Sequence, residues 1–120
     1  MSVAELQQQE NVRAWFEGAH HDELPEADQQ RYLEALEGFL VGIGKGPDEL
    51  VAFCFLRKKD TGERFLSQKR RVTVNDMIEA WVQKNGWTDK DAVRMANIIR
   101  GFLIHNGVLI QGPVWTKGML

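Results

Sequence analysis

Cysteine is nearly absent from this 120-residue chain. The one thiol, Cys54, cannot close an internal disulfide, and its setting in "AFCFL" makes it a buried structural thiol suited to a reducing compartment. Apolar runs are short. None approaches the roughly 20 residues that a membrane span needs, and the start "MSVAELQQQE" lacks both the basic region and the apolar core of a signal peptide. A soluble, cytoplasmic protein with no membrane partner is expected.

Chemistry-bearing motifs are equally scarce. No GxGxxG or Walker loop is present; "GIGKGPDEL" has glycines and a lysine but no GK[ST] ending, and reads as a helix stop. His20 and His21 are adjacent and point to different sides of a helix, and His105 has no Cys or carboxylate at ligand spacing, so no metal site and no cofactor is expected. The single tyrosine, Tyr32, has no Arg-His-Arg cluster to activate it. No catalytic group and no small-molecule substrate are expected of this chain.

What is present is a core and a divided charge. With 43% hydrophobic residues, the chain suits one globular domain that buries roughly two thirds of its unfolded surface. The net charge of -2 conceals a split. Residues 1–50 carry three basic and eleven acidic side chains, residues 51–120 twelve basic and six acidic. The run "RKKDTGERFLSQKRR", Arg57 to Arg71, is either a solvated loop or a phosphate-contacting patch.

The periodicity is mostly helical. "VAELQQQENVRAWFEGAH" is read as one helix with Val3, Leu6, Val12, Trp15, Phe16 and Ala19 on a common face. "PEADQQRYLEALEGFLVGIG" is a second, opened by Pro25 with Glu26 and Asp28 at the positive end of its dipole and stopped near Gly44. "TVNDMIEAWVQKNG", bounded by Thr73 and Gly86, carries the stripe Val74, Met77, Ile78, Trp81 and Val82. The last helix, from Thr88 with Asp91 as a near capping box to Asn106-Gly107, forms an α-hairpin with its predecessor, Trp87 pinned at the bend. Residues 50–67 are read as helix, with a β-hairpin turning at Asp60-Thr61-Gly62 as the alternative.

One pattern occurs twice. At an offset of 63, "RYLEALEGFLVGIG" matches "RMANIIRGFLIHNG" at Arg31/Arg94, Leu36/Ile99, Gly38/Gly101, Phe39/Phe102, Leu40/Leu103, Val41/Ile104 and Gly44/Gly107. Glycine inside a helix costs about 1 kcal/mol relative to alanine. Gly38 and Gly101 therefore serve either close helix packing or approach to a ligand. Lys90, Arg94, Asn97, Gly101 and His105 share one stripe of the last helix, which is either a solvated polar face or a nucleic-acid face. Glu34, Glu37 and the preceding acids make the earlier copy repel phosphate.

A helix ending in Phe-Leu and glycine, then "GKGPDEL", a basic run and "VNDMIEAWVQKNGWTDKDAVRMANIIRGFLIHNGVLI" resembles the N-terminal, core-binding domain of tyrosine recombinases, the phage-integrase family, over roughly Leu24 to Ile110. The matching positions are Trp81, Gly86, Thr88, Arg94, Ile99, Arg100, Phe102, Leu103, Asn106 and Gly107. The resemblance implies an all-α, SAM-like bundle of four to five helices over residues 1–110. Residues 111–120 are then a tail or the start of a linker to a catalytic domain. It also implies a module that clamps double-stranded DNA near a crossover site without cutting it, with other recombinase protomers as further partners. The family's catalytic set maps nowhere on this chain. Lys58, Lys59, Lys69, Arg70, Arg71, Lys90, Arg94 and Arg100 are the expected positioning contacts, and Asn97 the one base reader. Two other readings stay open: a winged-helix regulator whose wing is "VLIQGPVW", and a helical adaptor or inhibitor that binds protein through exposed aromatics and its acidic half.

Overall fold

Helix formation begins at Ser2, whose hydroxyl accepts from the Glu5 N–H while the Glu5 carboxylate accepts from the Ser2 N–H. This cap opens α1 (Val3–Gln7), and after a break at Gln8 and Gln9 the chain resumes as α2 (Glu10–Gly18). The computed structural model describes residues 1–112. The single helix expected over this stretch is two helices, for a geometric reason. At about 100° per residue, Leu6 and Trp15 would stand about 180° apart on a continuous helix. Both are nevertheless in the core, at 0% and 1% exposure. The break lets α1 lay Leu6 on α3 while α2 carries Trp15 and Phe16 inward.

A 3-10 turn (His21–Glu23) leads into α3 (Glu26–Ile43), which follows Pro25 and ends at Gly44, where φ is +69°. Next, α4 (Pro47–Phe53) starts on a proline, with the Glu49 carboxylate accepting from the Gly46 N–H. Beyond Phe53 the expected helix gives way to two antiparallel strands, β1 (Phe55–Arg57) and β2 (Arg64–Leu66), with Phe55 opposite Leu66 and Arg57 opposite Arg64. The connecting turn explains the outcome. The Asp60 carboxylate accepts from the Thr61 N–H, the Thr61 hydroxyl accepts from the Glu63 N–H, and Gly62 takes φ +72°. These local side-chain bonds and the positive φ favour a turn over a helix.

Ser67 then caps α5 (Gln68–Lys84) by accepting from the Arg70 N–H, so this helix starts several residues before the expected Thr73. A short bend with Gly86 at φ +74° joins it to α6 (Asp89–Ile104). Trp87 lies in this bend, edge-on to Trp81 at 4.9 Å. The expected Thr88 cap is absent: Thr88 makes no side-chain cap bond, and the Asp91 carboxylate turns to Arg94. Among the described residues the chain is thus mostly helical, with six α-helices and a small two-stranded sheet in place of an all-α bundle of four to five.

The 63-residue repeat is structural. α3 and α6 start at equivalent positions, Glu26 and Asp89, and pack on each other. Each carries an i,i+3 ion pair, Asp28–Arg31 at 2.8 Å and Asp91–Arg94 at 3.1 Å. Their ends close alike: the Lys45 N–H donates to Leu40 O at 3.2 Å and the Val108 N–H to Leu103 O at 2.9 Å, around Gly44 and Gly107, both at positive φ. Each Gly-Phe pair also seats a tryptophan from another helix. Phe39 meets Trp81 edge-on at 5.5 Å, and Phe102 meets Trp15 edge-on at 5.6 Å. The core lies between these two seats, with Leu33, Leu36, Phe39, Ile78, Ile99, Phe102 and Leu103 fully buried.

Candidate nucleic-acid interface

The basic run of the sequence divides between the hairpin and the first turn of α5. On the hairpin, register places Arg57 opposite Arg64 on one face. Arg64 lies 3.7 Å over the Phe55 ring, and Arg57 donates to Gly62 O at 3.0 Å, which holds both guanidinium groups close to the strands. Lys58 and Lys59 are exposed in the turn, Lys58 loosely paired with Glu63 at 3.8 Å. Arg57 and Arg64 belong to this surface but were missing from the expected contacts. Only the strand pairing brings them together.

The three cations "KRR" are not loop residues. Lys69 is exposed on α5. Arg70 is half-buried, donates to Phe53 O at 3.2 Å and stacks on the Phe53 ring at 4.5 Å, with Lys45 near the same ring. Arg71 donates to Leu109 O at 2.8 Å and to Ser67 O at 3.4 Å. Cations in a first helical turn oppose the helix dipole. Here two of them are held by carbonyl oxygens and fasten α5 to α4 and to the C-terminal segment.

The α6 residues separate in the same way. Lys90 is exposed, Arg94 is exposed but paired with Asp91, and Asn97 is exposed. Arg100 is 3% exposed and donates to Asn75 Oδ1 at 3.0 Å, Asn97 Oδ1 at 3.3 Å and Glu79 Oε1 at 2.9 Å. It is nearly buried, and its guanidinium is taken up by three acceptors within the chain. Gly101 lines a cleft beside Trp15. A Cβ there would stand 3.5 Å from Trp15 Nε1, as one at Gly38 would stand 3.8 Å from Trp81 Nε1. Both repeated glycines therefore lie beside an indole edge, with room for a Cβ at ordinary contact distance.

Cys54 and His21 are titratable groups in packed surroundings. Burial pushes the Cys54 thiol up despite the nearby Arg71 and Arg70, and its Sγ lies 3.6 Å from Leu50 O. His21 stacks on Tyr32 at 3.9 Å, and its pKa is lowered, first by burial and then by His105, with Asp22 opposing. Among the described residues no group of three His, Cys, Asp or Glu side chains is placed to hold a metal ion. No helix there is long and apolar enough to cross a membrane. Of the expected wing, residues 108–112 form no strand, and 113–115 lie outside the described residues, as does most of the expected tail or linker.

No protein-family model matches the chain, and the searches of curated proteins and of solved structures returned no match.

Proposed function

We propose that this chain is a double-stranded DNA-binding module that holds the phosphate backbone with its hairpin and the start of α5, and that it serves a site-specific recombinase as a clamp without catalytic groups of its own. The observation that carries the contact surface is the convergence of cations on adjacent elements. Arg57, Lys58, Lys59 and Arg64 lie on one short hairpin, and Lys69 follows three residues after it. Two-stranded ribbons and basic loops reach phosphates readily, and such contacts position a protein without reading sequence. Lys90 and Arg94 contribute less in this reading, because Asp91 pairs with Arg94 and Asp28 and Glu34 of α3 share a cleft with it. The recombinase assignment rests on the order of motifs in the sequence, with other protomers on the same DNA as further partners.

The test is a fluorescence-anisotropy titration with a mixed-sequence 30-base-pair duplex at several salt concentrations. Affinity that falls linearly with log salt, with a slope of about 0.9 per phosphate contact, is the expected result. Flat anisotropy at low salt would overturn the reading and leave the acidic face of α3 and a protein partner as the working answer.

A further inference from the structure

The two repeat helices line two related clefts. One, of about 610 Å³, includes Arg31, Glu34, Ala35 and Gly38 of α3 with Trp81; the other, of about 430 Å³, includes Arg94, Asn97, Ile98 and Gly101 of α6 with Trp15. The stripe is the same at offset 63, and the chemistry differs. The first cleft has the carboxylates of Asp28 and Glu34 in its wall. In the second, Asn97 stands where Glu34 stands in the first, and the described residues place no carboxylate in the lining. Its polar groups are the Trp15 indole, His21, Tyr32, Arg94, Asn97 and His105.

Three details orient these groups as donors. Trp15 is 1% exposed, yet none of the side-chain hydrogen bonds among the described residues has its indole N–H as donor, and this N–H is not among the fully enclosed unpaired groups. Every fully enclosed side-chain nitrogen or oxygen there has a partner, so this N–H opens on the cleft, past Gly101. Asn97 gives its Oδ1 to the buried Arg100, which turns its NH₂ away from that partner. Arg94 supplies a fixed positive charge, shared with Asp91 at 3.1 Å.

Gly101 adds a separate argument. A Cβ there would make only ordinary contact with the indole at 3.5 Å, so alanine would fit and would favour the helix by about 1 kcal/mol. Its methyl would also cover the indole N–H. Glycine forgoes the helix propensity and leaves the donor uncovered.

We propose that the cleft between α2, the 3-10 turn, α3 and α6 is a seat for a phosphate group, bound by the Trp15 indole N–H, the Asn97 amide, Arg94 and His105. Donors from four side chains on two helices suit a tetrahedral anion better than a planar carboxylate. A fall in pH adds positive charge at His21 and so favours binding; the opposing groups are Asp91 beside Arg94, Asp28 and Glu34 in the neighbouring cleft that Arg94 also lines, and Asp22 beside His21. The seat stands apart from the hairpin surface and does not depend on the duplex reading. The phosphate comes either from a mononucleotide or from a DNA backbone.

The test is the indole N–H region of a ¹H–¹⁵N NMR spectrum at pH 6, with resonances assigned through Trp87→Phe and Trp115→Phe variants and Trp15 and Trp81 told apart by proximity transfer to neighbouring helices. Inorganic phosphate, adenosine monophosphate and a 12-base-pair duplex are added in turn, with sodium chloride at matched ionic strength as control. The Trp15 resonance is expected to move with inorganic phosphate while Trp81 stays still. Movement at lower concentration with the mononucleotide assigns the source to a free ligand, and with the duplex to DNA. Asn97→Glu, which installs the charge of the other cleft, and Gly101→Ala, which covers the donor and keeps the helix, should each weaken the response by about tenfold or more, which corresponds to about 1.4 kcal/mol. A Trp15 resonance that no phosphate probe moves beyond the chloride control, or one that moves equally in both folded variants, overturns the proposal.

Discussion

Trp15 of α2 lies against Gly101 of α6, its indole nitrogen 3.5 Å from where a Cβ of residue 101 would stand, and its ring is edge-on to Phe102 at 5.6 Å. Trp81 of α5 stands in the same relation to Gly38 and Phe39 of α3. The two seats fix how α2 and α5 meet the repeated helices. Because a single Cβ fits at either glycine, Gly38→Ala and Gly101→Ala are each expected to raise stability, by a few tenths to about 1 kcal/mol. Gly101→Leu, whose side chain extends beyond a Cβ already in contact with the indole, is expected to lower it by about 1 to 3 kcal/mol. Urea denaturation of the three variants checks both signs.

Arg100 gives a second test, since it belongs to the interior and not to the binding surface. Arg100→Ala removes the partner of a half-exposed Glu79 and of two asparagine oxygens. A loss of about 2 to 4 kcal/mol is expected. The salt slope of duplex binding should stay unchanged in the variant. A reduced slope with unaltered stability would return Arg100 to the surface.

The His21 ring makes folding sensitive to acid. Burial and the neighbouring His105 lower its pKa in the folded protein, so the fold favours the neutral ring. Its contribution to stability is full above the ordinary histidine range, near pH 6.5, and is lost as the pH falls below it. Melting temperatures measured from pH 8 to pH 5 in chloride should fall, and His21→Gln should flatten that fall. At pH 5 to 6, added phosphate should restore part of it through the α6 cleft.

Much of this fold was legible in the sequence, where side chains act locally. Pro25 with Glu26 and Asp28 marks the start of α3, Gly44 its end, and Val74, Ile78, Trp81 and Val82 the buried stripe of α5. The break at Gln8 and Gln9 was hidden because Val3 and Leu6 look periodic by themselves; only the phase between Leu6 and Trp15 reveals it. The hairpin was legible as an alternative, since Asp60, Thr61 and Gly62 carry turn chemistry, but a short apolar run fits helix and strand equally. The candidate surface was legible as charge alone. Composition does not show that Arg70, Arg71 and Arg100 meet carbonyl and carboxylate oxygens from Phe53, Leu109 and Glu79, because those partners are 17 to 38 residues distant and are brought near by the tertiary packing of α5. Nor does it show Arg57 facing Arg64.

Ser67 is the hinge between hairpin and α5, and its buried hydroxyl caps the helix. Ser67→Ala is expected to cost about 1 kcal/mol. It should also weaken duplex binding slightly, by loosening the hairpin against Lys69. Thermal melts and anisotropy on one protein preparation give both values.

The most direct test of the account separates exposed cations from those held internally. Two variants are compared by duplex anisotropy across salt and by thermal melting: Lys58→Ala/Lys59→Ala/Lys69→Ala, and Arg70→Ala/Arg71→Ala. The account predicts that the first keeps its melting temperature and loses up to about three contacts' worth of salt slope, whereas the second melts several degrees lower and retains most of its slope. A first variant that binds the duplex like the parent protein, at every salt concentration, would contradict it.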